Sequence, residues 1–100
     1  MIARVWRGWT AAGDADAYHE YVERSGLETA RSVPGNRGAY ALHRKDGDQA
    51  EFVTVILWDS LDAIRDFAGE DVERAVFFPE DDRYLVERER TVKHYEVTGP

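Results

Sequence analysis

The chain contains no cysteine. This absence excludes a disulfide framework, a thiol nucleophile and a thiolate metal site. The sequence also lacks a paired-carboxylate cleft motif, a glycine-rich phosphate loop and a nucleophile elbow. Any chemistry must therefore come from histidines, isolated carboxylates, basic side chains or aromatic rings.

Long apolar runs are also missing. No run reaches the length of about eighteen residues that suggests a membrane-spanning helix, and residues 1–6 show no signal-peptide layout. We therefore expect a cytoplasmic protein with no membrane partner. The net charge is −7, and lysine and arginine are scattered rather than clustered, which argues against a nucleic-acid partner.

The composition is that of one globular domain over residues 1–100, with 43% hydrophobic and 33% charged residues. A chain of this length buries only roughly two-thirds of its unfolded surface, so its stability is modest. An interface with a second copy would add to that stability.

The stretch from Glu51 to Gly69 changes its apolar period in the middle. From Phe52 to Trp58, apolar side chains occur at both even-numbered and odd-numbered positions. Because alternate residues of a strand point to opposite faces, this predicts a strand with two apolar faces. Beyond Asp59 the spacing becomes helical. The expected helix has Ser60 as its N-cap and a stripe formed by Leu61, Ile64, Phe67 and Ala68.

Alternation predicts further strands over Ile2–Trp9, Asn36–Arg44 and about Val86–Val97. The sequence Asp46-Gly47 predicts a hairpin between the second strand and the central one. Two other helical segments are expected. The first is capped by Asp14, is ended by Gly26 and buries Ala17, Tyr18, Tyr21 and Val22; the second includes Val72, Ala75, Val76 and Phe77.

The predicted order is strand, helix, strand, strand, helix, strand, which is the ferredoxin-like split β-α-β arrangement of an α+β protein. Two helices can cover only one face of a four-stranded antiparallel sheet. The central strand is apolar on its other face as well, and an uncovered face of this kind favours association. We therefore expect a homodimer in which two sheets form a dimeric α/β barrel, with a pocket under the helices of each subunit.

Four stretches together resemble the antibiotic biosynthesis monooxygenase-like domain. They are WDSLDAIRDFAG at 58–69, AVFFPE at 75–80, HYEV at 94–97 and PGNRG at 34–38. The resemblance covers nearly the whole chain and implies the dimeric ferredoxin-like barrel. The family includes cofactor-independent oxygenases of aromatic polyketides, haem-degrading relatives, isomerases and members without a known activity.

The candidate pocket residues are Trp58, Asn36, Trp6 and Phe67. Trp58 ends the central strand and either closes the core or forms a pocket wall. The resemblance implies that tryptophan, asparagine and histidine or tyrosine hold a phenolate while dioxygen reacts. Asn36 is the only asparagine, although its place after Pro34-Gly35 also fits a turn. A pocket lined by aromatic rings would suit a flat hydrophobic ligand.

His94 is the candidate catalytic residue. A histidine on a late strand with apolar neighbours could act as a general base toward a phenol, with Glu96 orienting its ring. A structural hydrogen bond at a dimer interface is the alternative. His19 and His43 are expected at the surface, and the pair of His19 with Glu23 supplies two ligands only, so we expect no metal site.

The leading functional hypothesis is a monooxygenase-like homodimer that binds, and oxidises or isomerises, a small aromatic or polyketide-like metabolite without a cofactor. Two alternatives remain open. One is a non-catalytic ligand-binding or stress-response protein with the same pocket, and the other is a haem-binding or haem-degrading relative with a histidine ligand.

Overall fold

The computed structural model describes all 100 residues and contains one antiparallel sheet of five strands. The strands are β1 (Ile2–Ala11), β2 (Asn36–Asp46), β3 (Gln49–Trp58), β4 (Leu85–Arg88) and β5 (Lys93–Glu96). Their order is β2-β3-β1-β4, and β5 also pairs with β1. This order confirms the predicted α+β, ferredoxin-like fold.

The first helical segment is longer than the sequence predicts. A 3-10 turn (Ala12–Asp14) leads into α1 (Ala15–Val22), a π-helical turn (Glu23–Leu27) and α2 (Glu28–Arg31). The expected left-handed stop at Gly26 is wrong, because the chain passes through this glycine in helical conformation. Asp14 makes no capping hydrogen bond, and Ala17 is exposed rather than buried.

The remaining helices are α3 (Leu61–Ala68) and the single turn α4 (Asp81–Tyr84). Ser60 caps α3 as predicted, since its hydroxyl accepts a hydrogen bond from the Ala63 N–H at 3.2 Å. The β2–β3 hairpin is also confirmed, with Gly47 at φ 65° in the turn. No helix combines the length and the apolar character that a bilayer crossing requires.

The predicted helix around Val72–Phe77 does not form. Residues 69–80, which we name the cover segment, are irregular, and Arg74 makes a β-bridge with Thr91. Valine and phenylalanine have low helix propensity, and Pro79 limits the room for a helix. The same bridge explains why the predicted fourth strand is divided into β4 and β5: residues 90–92 bond to the cover segment instead of to β1.

The two faces of the sheet differ in what covers them. Trp6, Phe52, Ile56 and Trp58 point toward the helices and belong to the buried core. The opposite face, which we name the open face, carries apolar side chains that no part of the chain covers. Its neighbouring residues in register are Val5, Val53, Val55, Leu57, Tyr40 and Leu42.

Candidate functional site

A cavity of about 60 Å³ lies between the helix-covered face of the sheet, the first helical segment, α3 and the cover segment. Most of its lining is apolar and includes the rings of Trp6, Phe67, Phe77 and Phe78. Arg4 and Asp81 are the charged residues in the lining. A concave apolar site with a few polar groups is the usual form of a small-molecule site.

Strand β1 places Arg4 and Trp6 side by side on the cavity wall, because alternate residues of a strand share a face. The Trp6 ring lies over Gly8, where a Cβ atom would come within 2.3 Å of the indole. The indole N–H donates to the Glu89 carbonyl at 2.7 Å, and Phe77 meets the ring edge-on at 6.2 Å. Gly8 and Glu89 therefore fix the position of Trp6.

Arg4 is 3% exposed and bonds only to neutral groups. Its Nη1 donates to the Val72 carbonyl and contacts His94 Nε2 at 3.2 Å, and its Nη2 donates to the Arg74 carbonyl at 2.8 Å. Burial lowers the pKa of Arg4 to about 10, so the guanidinium remains charged at neutral pH. The cavity therefore contains a cation that no carboxylate balances.

His94 lies directly opposite Arg4 in the β1–β5 pair. Partial burial and, to a lesser degree, the charge of Arg4 lower the pKa of His94 below its ordinary value of 6.5. The imidazole is thus neutral at neutral pH, and its Nε2 can accept the Arg4 N–H. His94 does not line the cavity itself, and it reaches the site through Arg4.

Asp81 forms a second polar cluster of the cavity with Tyr18. The Tyr18 hydroxyl donates to Asp81 Oδ1 at 2.9 Å, and the Phe78 N–H donates to Oδ2 at 2.7 Å. Burial raises the pKa of Asp81. The pKa of Tyr18 is also raised, mainly by burial and secondly by the charge of the Asp81 carboxylate. Both oxygens of this carboxylate therefore already have donors.

These two clusters hold the cover segment over the cavity. Arg4 bonds to its Val72 and Arg74 carbonyls, and Asp81 bonds to its Phe78 N–H. The Glu80 N–H adds a bond to the Tyr21 hydroxyl at 3.0 Å. The segment has no helix or strand of its own, so these contacts, together with its backbone bonds to residues 90–92, determine its position.

The structure separates the four predicted pocket residues. Trp6 and Phe67 line the cavity, whereas Trp58 and Asn36 do not. Trp58 is fully enclosed behind Phe67, at 5.5 Å between ring centroids, and its indole N–H has no hydrogen-bond partner. The Asn36 Oδ1 accepts from the Gly38 N–H at 2.9 Å, which is a local turn contact.

His19 of α1 and His43 of β2 come together near the edge of the sheet, on its helix-covered face. Their Nδ1 atoms lie 3.0 Å apart, and the His43 ring stacks on Phe52. The chain contains no cluster of three or more side chains suited to hold a metal ion. No sequence pattern pairs these two histidines, because their contact depends on how α1 packs on β2.

Sequence reasoning also missed Arg4, Tyr18 and Asp81 as site residues. A signal for Arg4 was available, since it shares the strand parity of Trp6 and so points into the core. No comparable signal identifies Asp81, whose turn is expected in solvent. Its burial depends on the Tyr18 hydroxyl, sixty-three positions earlier in the chain.

The fold and the cavity define a ferredoxin-like α+β domain with a site beneath its helices. A family model described as antibiotic biosynthesis monooxygenase matches residues 1–76, and the chain therefore belongs to that family. A comparison with curated proteins found no match.

Solved structures share the fold of this chain. A Bacillus cereus protein assigned as an antibiotic biosynthesis monooxygenase has a TM-score of 0.69 at 13% identity, over 99% of this chain and 96% of that one. The haem degrader MhuD of Mycobacterium tuberculosis has a TM-score of 0.62 at 16% identity, over 100% of this chain and 98% of that one. These identities are low, so the two structures show the common fold alone.

Proposed function

We propose that this protein binds a small aromatic or polyketide-like metabolite in the cavity and oxidises it without a cofactor. The observation that carries the proposal is the cavity itself, in which the rings of Trp6, Phe67 and Phe77 surround a buried cation. Apolar walls with one polar anchor suit a flat ligand. In such a monooxygenation the substrate supplies the electrons: a ring methylene becomes a carbonyl, and the second oxygen atom leaves as water.

Ligand entry requires the cover segment to move. The cavity measures about 60 Å³, whereas a cavity that accommodates benzene measures roughly 150 Å³. Phe77 and Phe78 lie in the irregular cover segment and are only half-buried. Their outward displacement is the smallest change that makes room for a ring.

Within this proposal the side chains have distinct roles. Trp6 and Phe67 contact the ligand ring, and Arg4 stabilises negative charge that develops on it. His94 is neutral at neutral pH and accepts an Arg4 N–H, so we assign it to orienting the guanidinium. Trp58 and Asn36 do not contact the ligand. Trp58 supports Phe67 by packing against it, and Asn36 stabilises the start of β2.

Oxygen consumption with dihydroxyanthracene-type phenols, in the absence of added flavin or metal, tests the activity. We expect uptake by the wild type and its loss in Ala75→Leu, because the larger side chain fills the cavity. Ala17→Leu is the matched control, since this alanine is exposed on α1. A flat oxygen trace across a broad phenol panel would remove the oxygenase assignment.

A non-catalytic binding protein is the second candidate. The observation that favours it is the lack of a free base at the cavity, because Asp81 accepts two hydrogen bonds and His94 Nε2 faces Arg4. Calorimetry separates the two functions: binding of the phenols without oxygen uptake supports this second candidate. We infer no stress-response role from the structure.

Haem does not fit the site as the chain forms it. No histidine lines the cavity, and the nearby His94 has its Nε2 against Arg4. We therefore expect that adding haemin gives no Soret shift that depends on His94. A shift that disappears in His94→Ala would restore the haem-binding hypothesis.

We further propose that the open face joins two copies of the chain into a barrel. Its support is the apolar surface of Val53, Val55 and Leu57, flanked by Tyr40 and Leu42, which are each more than half exposed. Leu42→Glu should give a monomer in sedimentation analysis. Leu61→Glu changes a similarly exposed leucine on α3 and should leave the dimer intact.

A clean wild-type monomer at micromolar concentration would contradict the dimer.

The proposal also includes a cytoplasmic location. Cell fractionation with a tagged chain tests that location independently of the dimer.

A further inference from the structure

We propose that Arg4 binds a carboxylate, so that the ligand of the cavity is a flat apolar acid held through its carboxyl group. This inference rests on the proposed function, because it specifies the ligand of the same cavity. It makes Arg4 the residue that determines specificity for an anionic ligand over a neutral one.

The first argument is charge. Eight ion pairs occur in the chain, and none includes Arg4, although most of the other arginines are paired. The three acceptors of Arg4 are two backbone carbonyls and a neutral imidazole. A buried charge is normally paired. The missing partner is therefore an anion, and the cavity is where an anion can reach the guanidinium.

The nearest acid in the cavity lining does not supply that anion. Asp81 receives the Tyr18 hydroxyl and the Phe78 N–H and makes no contact with Arg4. No carboxylate forms an ion pair with Arg4, and burial lowers its pKa. The cation and the acid lie in separate polar clusters of the same cavity.

The second argument is the geometry of the unused donors. Three hydrogen bonds engage Nη1 and Nη2 of Arg4, whereas the Nε–H makes none. Among the fully buried side-chain nitrogen and oxygen atoms, only Trp58 Nε1 lacks a hydrogen-bond partner. Arg4 Nε also lacks a partner, so it is not fully buried. Nε and Nη2 are neighbours on the guanidinium fork, and Nη2 carries a second N–H besides the one that it donates to the Arg74 carbonyl. Two adjacent N–H donors match the two oxygens of a carboxylate, which accepts them as a bidentate pair.

The third argument concerns the rest of the ligand. The Phe67 ring centroid lies 6.0 Å from the Arg4 guanidinium carbon, and Trp6 is the next inward residue of β1. A carboxylate at Arg4 would place an attached ring against these two aromatic surfaces. The ligand ring would then occupy the space that the Phe77 and Phe78 rings fill in this structure.

Isothermal titration calorimetry with three matched ligands tests the inference. They are 2-naphthoate, 2-naphthamide and 2-naphthol, which share the ring system and differ in charge and in the number of acceptor oxygens. We expect the wild type to bind naphthoate at least about tenfold more tightly than the amide, since a bidentate charge-assisted pair exceeds a neutral hydrogen bond by that amount or more. Naphthol should resemble the amide.

Two variants locate the effect. Arg4→Gln removes the charge and the guanidinium fork, so the preference for naphthoate over naphthamide should disappear. Arg4→Lys keeps the charge without the fork, so the preference should be intermediate. Circular dichroism checks that both variants fold, and the wild-type comparison needs no variant.

The outcomes separate the two proposals. Equal binding of naphthoate and naphthamide to the wild type would overturn the carboxylate assignment and leave an aromatic-binding cavity in place. Tight binding of naphthol alone would replace the carboxylate with a phenolate. Binding of none of the three would overturn both this inference and the proposed ligand class.

Discussion

Two buried charged groups line the same cavity and are treated differently by the fold. Asp81 is 6% exposed, and donors from α1 and the cover segment occupy both of its oxygens. Arg4 is 3% exposed and its acceptors are neutral, as the donors of Asp81 are, but its Nε–H has no acceptor. Each oxygen of Asp81 has a donor, and the charge of Arg88 also acts on this carboxylate, whereas Arg4 keeps an unused N–H that the proposed external carboxylate would accept.

This comparison distinguishes a structural charge from a binding charge. A buried group whose partners all lie in the chain contributes to the fold, and its removal leaves partners unsatisfied. A buried charge without an opposite charge gains most when a ligand arrives. We therefore expect substitutions at Asp81 to act mainly on stability and those at Arg4 mainly on binding.

The largest expected effect is that of Asp81→Ala. The change leaves the Tyr18 hydroxyl and the Phe78 N–H without an acceptor, which should lower the free energy of unfolding by about 2–4 kcal/mol. Urea denaturation measures this loss. Asp82→Ala is the control, because that carboxylate is 86% exposed and its ion pair with Arg88 should contribute less than about 1 kcal/mol. Equal losses in the two variants would remove the structural role of Asp81.

Arg4→Gln should affect stability less. The lost bonds to the Val72 and Arg74 carbonyls are partly offset by the removal of an unbalanced charge, so we expect a loss of about 1 kcal/mol. The same urea experiment measures it beside Asp81→Ala. If Arg4→Gln lowered the free energy of unfolding as much as Asp81→Ala does, Arg4 would chiefly anchor the cover segment. The proposed difference between Arg4 and Asp81 would then be wrong.

The smallest expected effect is a pH dependence from His94. Its pKa in the fold lies below the 6.5 of the unfolded chain, so below that value the unfolded chain takes up a proton that the fold does not. Stability should therefore rise with pH from the lowered pKa up to about 6.5. The groups that act on His94 are Arg4 on β1 and Glu73 in the cover segment.

His94→Gln tests this effect. Because the imidazole is only partly buried, the slope should amount to a few tenths of a kcal/mol, roughly the scale of screened surface charges. Urea midpoints at several pH values should show a shallower slope in the variant between mildly acidic and neutral pH. A wild-type stability that increases as the pH falls through this range would contradict a lowered pKa.

The fold could be predicted from the sequence because its strongest patterns are local. Alternation from Phe52 to Trp58, the Ser60 cap and the Gly47 turn each determine their own element, and the element order leads to the ferredoxin-like sheet. The cover segment was predicted incorrectly. Its apolar residues occur at helical spacing, but pairing with residues 90–92 competes with the helix and prevails.

The site was predictable only where a strand or helix with a regular apolar pattern forms its wall. The alternation of β1 predicts that Trp6 points toward the helices, and the helical spacing of apolar residues in α3 predicts that Phe67 points toward the sheet. The contact of Tyr18 with Asp81 and that of Arg4 with the cover segment join residues more than sixty positions apart. Such contacts depend on packing between elements, and no local pattern encodes them.

The most direct test of an unbalanced Arg4 is the pKa of a bound acid. Carbon-13 NMR of carboxyl-labelled 2-naphthoate, titrated with pH in the complex, reports this value. Contact with the Arg4 cation should lower the carboxyl pKa below that of the free acid, and Arg4→Gln should abolish the decrease. Burial against apolar walls alone would raise the carboxyl pKa, and a raised value in the wild-type complex would contradict the account.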